Sequence, residues 1–512
     1  MQRTIPSMKT CNFAAVIKLS TMESEQKKTK RSGRKGWIVA GLAIVVAVVA
    51  VAIVAFSHLL KKNTAEPLAT LPADAVYVLQ VNDNEVFMKS SVKCLPYLDE
   101  ILSFNAMEGF EYFASQISAY LPQTGQIVIS GYLNRSNQLK LMMSTRASEG
   151  AFNQLLQSLK INPKDCTTHR SVRIYKIATH HNAFYLCFHN GIFSAAESVK
   201  LLESSIDVTA TANSLANQAE LKKLLGVVNK NNKHNWLMIN HERFVKAELP
   251  KIALDYQAQF SHYKDLANWS AYQVTFTDFE MKLSGYSLIT SNSFFQQFHG
   301  SMESPMSIPD SLAFSNISRL ESYAAPFAVG SDSVMLQFYD IHHFVMNSKG
   351  KDLHFIALHS DGSENLAEAF LPSDFTSDSI IRHKKIAIYK SGVGDFVPKC
   401  LLDSTIGCNY FVENKGNLIF ADSVSALKLY LDKMAGGSNL ASNQTYVFAK
   451  KHLPSQSVFE LYYQNLNQDA RKFFSASFLK AGGRLSTMRV FSVNARESVD
   501  GMVPNNIYVR FQ

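Results

Sequence analysis

The chain has 512 residues, 46% hydrophobic and 18% charged, which excludes both a disordered chain and a multispanning membrane protein. The formal net charge of +9 belongs to one end: residues 1–62 hold 11 Lys/Arg against 2 Asp/Glu, and the remaining 450 residues hold 40 of each. The body of the protein is therefore neutral, with no overall electrostatic reason to bind nucleic acid.

In chain order, residues 1–36 read as a basic cytoplasmic tail. Within it Met22 opens MESEQKKTKR, a more natural start than Met1. From Trp37 to Leu60 the run WIVAGLAIVVAVVAVAIVAFSHLL contains no acid, Lys or Arg. As a helix it is about 36 Å long, enough to cross a hydrocarbon core of about 30 Å. Lys27, Lys28, Lys30, Arg31, Arg34 and Lys35 precede it and only Lys61 and Lys62 follow closely. The positive-inside bias predicts a single-pass signal anchor in the cell membrane, N-terminus cytoplasmic, with the rest extracytoplasmic and periplasmic. The apolar run is too long, and its end too poor a cleavage site, for a removed signal peptide. The expected lipid contact is the bilayer, through residues 37–60.

Residues 61–70 read as a linker. LPADAVYVLQV (71–81) then predicts a turn and a buried strand, followed by a long amphipathic helical region over 85–121. QIVISGYL and LKLMMSTR predict a strand pair, SEGAFNQLLQSL a helix, and VRIYKI and AFYLCFHNGIFSA further strands.

The pattern then recurs. HNGIFSAAESVKLLESSI (189–206) is matched by NKGNLIFADSVSALKLYL (414–431), a shift of 225 residues. At a shift of 214, LKLMMSTR falls on LHFIALHS and IYK (174–176) falls on IYK (388–390). LPADAVYVL resembles IPDSLAFSN (308–316), and each half ends in a predicted pair of closing strands. The expected architecture is α+β: a single transmembrane helix, then a duplicated ectodomain of antiparallel sheets with helices packed on one side, the repeats at 71–300 and 301–512.

The tail, the anchor and LPADAVYVLQVN together resemble bacterial envelope proteins of domain-of-unknown-function family 3352. That resemblance implies an envelope location and no catalytic residues.

Few residues point to chemistry. Five of the six cysteines follow the anchor, and Cys400 and Cys408 bracket CLLDSTIGC, where an oxidising compartment permits a local disulfide. The bland alternative is two unpaired thiols. NHERF (240–244) starts like a zinc-protease helix, but Val245 stands where the second His is required. His180 and His181 fall in a predicted hairpin turn. His342 and His343 are adjacent, and Asp340 and His343 would share a face if helical, with a surface hydrogen bond the plainer reading. No metal, cofactor or catalytic residue is assigned. The functional expectation is a non-catalytic binding or scaffolding protein of the bacterial envelope, partnered by another envelope protein or by itself. The alternative is an envelope enzyme or a small-ligand or lipid-binding module with its site between the repeats.

Overall fold

A computed structural model describes residues 66–82, 100 and 126–511, with short interruptions, the longer ones at 301–305, 320–324, 360–366 and 397–405. The first half contains strands β1 (Tyr77–Val81), β2 (Ile127–Leu133) and β3 (Leu139–Arg146), then helix α1 (Glu149–Ser158). Strands β4 (Cys166–His169), β5 (Val172–Ala178), β6 (Ala183–His189) and β7 (Ile192–Ala196) follow. Helices α2 (Val199–Thr211) and α3 (Lys222–Lys230) lead to β8 (Trp236–Asn240). Helices α4 (His241–Glu248) and α5 (Leu254–Ser261) precede the hairpin β9 (Trp269–Thr277) and β10 (Glu280–Leu288).

The second half opens with β11 (Phe314–Arg319), a small hairpin β12 (Ala325–Val329) and β13 (Asp332–Leu336), and then β14 (Asp340–Ser348) and β15 (Lys351–His359). Next come β16 (Ile381–His383), β17 (Ile386–Phe396), β18 (Ile406–Asn414) and β19 (Asn417–Ala421). Helices α6 (Val424–Ala435) and α7 (Gln444–Lys451), strand β20 (Phe459–Gln464) and helix α8 (Ala476–Lys480) precede the last pair, β21 (Met488–Ala495) and β22 (Met502–Phe511).

The α+β expectation is corrected. Among the described residues the protein is mostly β: twenty strands belong to one connected antiparallel sheet, with β12–β13 apart. Two-residue turns join β4–β5, β6–β7, β14–β15, β16–β17 and β18–β19, and the described helices run only from 5 to 13 residues. The anchor expected at 37–60 and the helical region expected at 85–121 lie outside the described residues; among those described, no helix is long and apolar enough to cross a membrane. Pro67–Thr70, at the end of the expected linker, is instead a short turn whose Pro67, Leu68 and Thr70 are buried.

Read from one edge to the other, the sheet runs β4-β5-β6-β7-β3-β2-β1-β8-β9-β10. It continues through β10–β22 into β22-β21-β20-β11-β14-β15-β19-β18-β17-β16. Taken in reverse, the second ten occupy the same positions as the first ten. Ladder partners then give residue counterparts. Gln80, Trp236, Gln273 and Ser284 form one cross-strand row, and Ile317, Glu460, Asn494 and Asn506 form the matching one.

The ladder also corrects one match by a residue. Met142 pairs with Ala196, and Phe355 pairs with Ala421. The counterpart of Met142 is therefore Phe355, not the Ile356 given by sliding the sequence. A one-residue slip sends every side chain of a strand to the opposite face.

Helices cover both faces of the sheet, not one. Val128 and Met142 pack with Leu202 of α2 and Leu224 of α3, whereas their neighbours Ile127 and Met143 pack with Phe152 and Leu155 of α1. The second half repeats the split: Phe355 and Val412 meet Leu427 and Tyr430 of α6, and Ile356 and Phe411 meet Phe370 on the other side. Each buried Leu or Phe contributes about 2 kcal/mol of transfer free energy. With both faces covered, β1, β7, β8 and β19 are buried at every position, which is why they read as continuous apolar runs.

The turns are equally matched. Asn190–Gly191 and Lys415–Gly416 both have positive φ, +52° and +78° against +51° and +75°, the geometry of a type I′ hairpin turn. Arg170–Ser171 and Lys384–Lys385 adopt it too, with φ between +46° and +68° and no glycine to ease it.

Candidate functional site

Most sequence candidates are scattered. Cys400, and with it the bridge expected to Cys408, lies outside the described residues; Cys408 is buried on β18. His180 and His181 also lie outside them. His342 and His343 sit on a strand, so the helical sharing of a face by Asp340 and His343 is corrected: alternation puts positions 340 and 343 on opposite sides of the sheet. Both histidines are buried, and desolvation pushes each pKa down to about 3. Cys187 is buried too, and its thiol is pushed up to about 12, far from a reactive thiolate. Among the described residues no group of three or more His, Cys, Asp or Glu is placed to hold a metal.

NHERF turns out to build a joint between the halves. Asn240 caps α4, its side chain accepting from the Arg243 amide at 3.0 Å. His241 is buried behind it. Its Nδ1 lies 3.2 Å from the Tyr263 carbonyl, an acceptor only, so Nδ1 carries the proton and Nε2 accepts from Ser270 Oγ at 2.6 Å. Ser270 in turn lies 2.6 Å from Ser287 Oγ, which accepts from Asn505 Nδ2 at 2.6 Å. One direction of donation thus runs from Asn505 on β22 through β10 and β9 to α4. Burial lowers His241 to about 4, which keeps it neutral as this chain requires. A Ser hydroxyl donating to a His is the arrangement of an activated nucleophile. Here Ser270 is 0% and His241 1% exposed, so the network is sealed from any substrate and serves to hold the halves together.

At the two edges of the sheet the molecule carries matching clamps. His169, the last residue of β4, places Nε2 2.8 Å from Asp207 Oδ1 on α2, and Arg170 Nε is 2.5 Å from the same oxygen. His383, the last residue of β16, places Nε2 2.8 Å from Asp432 Oδ1 on α6, and Lys384 Nζ is 2.6 Å away. The Asp207 pKa is lowered by the His169 hydrogen bond first and Arg170 after it; that of Asp432 by Lys384 and then His383. The basic residue in each clamp is one of the positive-φ residues, so the ion pair secures the turn that sterics disfavour. Both pairs were visible in the two sequence shifts as identical His and identical Asp, but nothing then linked one shift to the other.

A third constellation occurs in the second half alone. Glu460 on β20 is 1% exposed, and its Oε2 is 2.5 Å from Lys450 Nζ on α7. Tyr446 of α7 stacks edge-on against Tyr462, ring centroids 5.1 Å apart. Burial and then the Glu460 charge raise the pKa of both phenols. Tyr462 pairs with Ser492 and Ser492 with Tyr508, on whose ring His452 lies flat at 4.9 Å. The counterparts of Glu460, Tyr462 and Ser492 are Trp236, Met238 and Ala271, all in the apolar core. Within FELYYQ the Glu reads as an ordinary solvent-facing residue of an alternating strand, so it escaped notice.

No family model matches the chain. No curated protein matches either. Two solved structures of TP0453, crystal forms I and III, align at a TM-score of 0.22 with 8% and 9% identity, over 74% and 72% of the present chain and 100% and 98% of theirs. A likeness this slight carries neither fold nor function to the present chain.

Proposed function

We propose that the protein is a membrane-tethered, non-catalytic binding or scaffolding protein of the bacterial envelope, similar to family 3352, with its body outside the cytoplasm. The observation that carries the reading is the 24-residue apolar run at 37–60 with its basic approach, followed by a charge-neutral body. A body suited to scaffolding is supported by the continuous sheet. The pairing runs unbroken through twenty strands from β4 to β16. Its two edges, β4 and β16, carry like clamps and offer like surfaces for engagement with another envelope protein or a second copy. The two halves are read as copies of one ancestral domain.

The test is topological. Protease added to intact spheroplasts digests the body and leaves an N-terminal membrane-embedded stub, and deletion of residues 1–62 releases a soluble, folded fragment. A body spared by external protease, or a fragment that stays with membranes after a high-salt wash, refutes the reading.

A further inference from the structure

We propose that the middle of the sheet is a docking channel for an acidic amphipathic helix of another protein. This names the kind of partner that the binding reading requires and rests on that reading; neither the tether nor the sheet edges enter it.

Within the first lobe, β1 and β8 are buried at every position. The two strands of the joint are not. On the face that carries α3 and α7, β10 presents Glu280, Lys282, Ser284, Tyr286 and Leu288, all half-exposed, whereas Met281, Leu283 and Ser287 on its other face are buried. Met502, Pro504 and Arg510 of β22 are half-exposed on the same face, opposite Leu288, Tyr286 and Glu280. The helices stand to either side. Leu224 and Val228 of α3 share a core with Trp236 of β8 and Ala271 of β9. Tyr446 of α7 shares one with Tyr462 of β20 and Val490 of β21. The strip left over the β10–β22 pair is about 10 Å across, the width of one α-helix.

The occupant is a helix because the strip has no strand edge. β10 pairs along its length with β9 on one side and β22 on the other, so an extended peptide would gain no ladder there. A helix satisfies its own backbone and offers side chains only. The walls set its charge. Lys223 Nζ donates to the Asp500 carbonyl at 3.1 Å across the joint, so the flank of α3 bearing Lys223, Val227 and Lys230 faces the strip. Among the described residues these two lysines join Lys282 and Arg510 against Glu280 on the floor and Asp500 at one end. In a body otherwise balanced in charge, that local excess selects an anionic partner. Phe448 of α7 is 37% exposed beside the strip, with Arg510 Cζ 5.6 Å from its ring centre. With Tyr286 and Leu288 it supplies the apolar anchors that make the partner amphipathic.

The test titrates the full chain, held in nanodiscs of zwitterionic lipid, into a fluorescein-labelled, stapled helical peptide of Leu and Glu. Anisotropy is the readout, and empty nanodiscs supply the blank. Saturable binding is expected. Lys230→Glu combined with Lys282→Glu should weaken it by about tenfold or more, whereas Lys200→Glu, exposed on α2, should change it by less than about twofold. The same peptide with Lys in place of Glu should not bind. Thermal midpoints separate lost contact from lost fold; if Lys282→Glu lowers the midpoint, Lys223→Glu with Lys230→Glu, both exposed on α3, takes its place. No binding of the acidic helix, equal binding of the Lys peptide, or insensitivity to the channel variants overturns the proposal. So does a DNA duplex bound as tightly as the peptide. None of these outcomes alters the protease result, which tests the tether alone.

Discussion

Ser284 on β10 faces Asn506 on β22 at the middle of the ladder that joins the two halves, and each is the other's counterpart. Four residues away in one direction Glu280 meets Arg510, and in the other Leu288 meets Met502. The counterpart of Glu280 is Met502 and that of Leu288 is Arg510, so the joint is two-fold symmetric about the Ser284–Asn506 pair. This is the geometry of an isologous dimer interface, here inside one polypeptide. The shared core reinforces it: Val509 and Phe511 pack with Tyr272, Met281 and Leu283. Cutting the chain at a protease site inserted between β10 and β11 is expected to leave the halves together. Co-elution of both fragments on size exclusion, lost only in denaturant, is the check.

Gly285 lies beside that joint, and it cannot carry a side chain. A Cβ there would sit 1.9 Å from the Ala271 carbonyl oxygen, a clash with backbone that no rotamer relieves. Gly285→Ala is expected to destabilise the protein by about 2–4 kcal/mol, seen as a lower urea midpoint. Gly226, with nothing near its Cβ position, is the control; there Ala is expected to be neutral or stabilising.

Lys450 neutralises a carboxylate that is otherwise buried among phenols. Lys450→Met strands that charge and is expected to cost about 3 kcal/mol. Adding Glu460→Gln removes the charge and recovers most of the loss. Equilibrium unfolding of the two variants at pH 7 reads both effects, and a double variant as unstable as the single one contradicts the assignment.

Acid sensitivity follows from the buried imidazoles. His241 is depressed to about 4 and His342 and His343 to about 3, whereas the unfolded chain titrates near 6.5. The unfolded state then binds more protons between those values, so stability is full above about pH 6.5 and falls as pH drops toward 4 and 3. For His241 the loss is on the order of 3 kcal/mol. His241→Gln, which keeps a polar partner for Ser270 but does not titrate, is expected to flatten the stability profile between pH 6.5 and 4.

The edge clamps act at lower pH. Asp207 and Asp432 are lowered below the usual carboxylate value, so their contribution is present above about pH 4 and disappears as pH falls through their folded values. Replacing both by Asn should remove that part of the acid limb and leave the region above pH 5 unchanged in shape. Hydrogen exchange of the β4–β5 and β16–β17 turns should quicken in the same variant at neutral pH.

How much of this was legible depends on the range of the interaction. The hairpin at Asn190–Gly191 and its partner at Lys415–Gly416 were written locally, because a tight turn selects its residues. So were the strands on either side. The register of β3 against β15 was not, since apolar residues on both faces remove the alternation that would have fixed it. The pairing of β10 with β22 joins segments more than 200 residues apart, and no local pattern announces such a contact. His241, Ser270, Ser287 and Asn505 are ordinary residues in four separate elements, and only the folded sheet brings them into line. Both-sided helical cover was equally hidden, because short helices such as α3 and α4 do not say which face they will occupy.

The correspondence between Trp236 and Glu460 has a practical consequence. Two lobes of the same strand order in one molecule experience the same solvent and temperature, yet one places Trp236 in its apolar core where the other places a buried Glu460 paired with Lys450. Each lobe is thus a built-in control for its twin. Exchanging residues between them isolates what a side chain adds from what its scaffold demands, without recourse to any second protein.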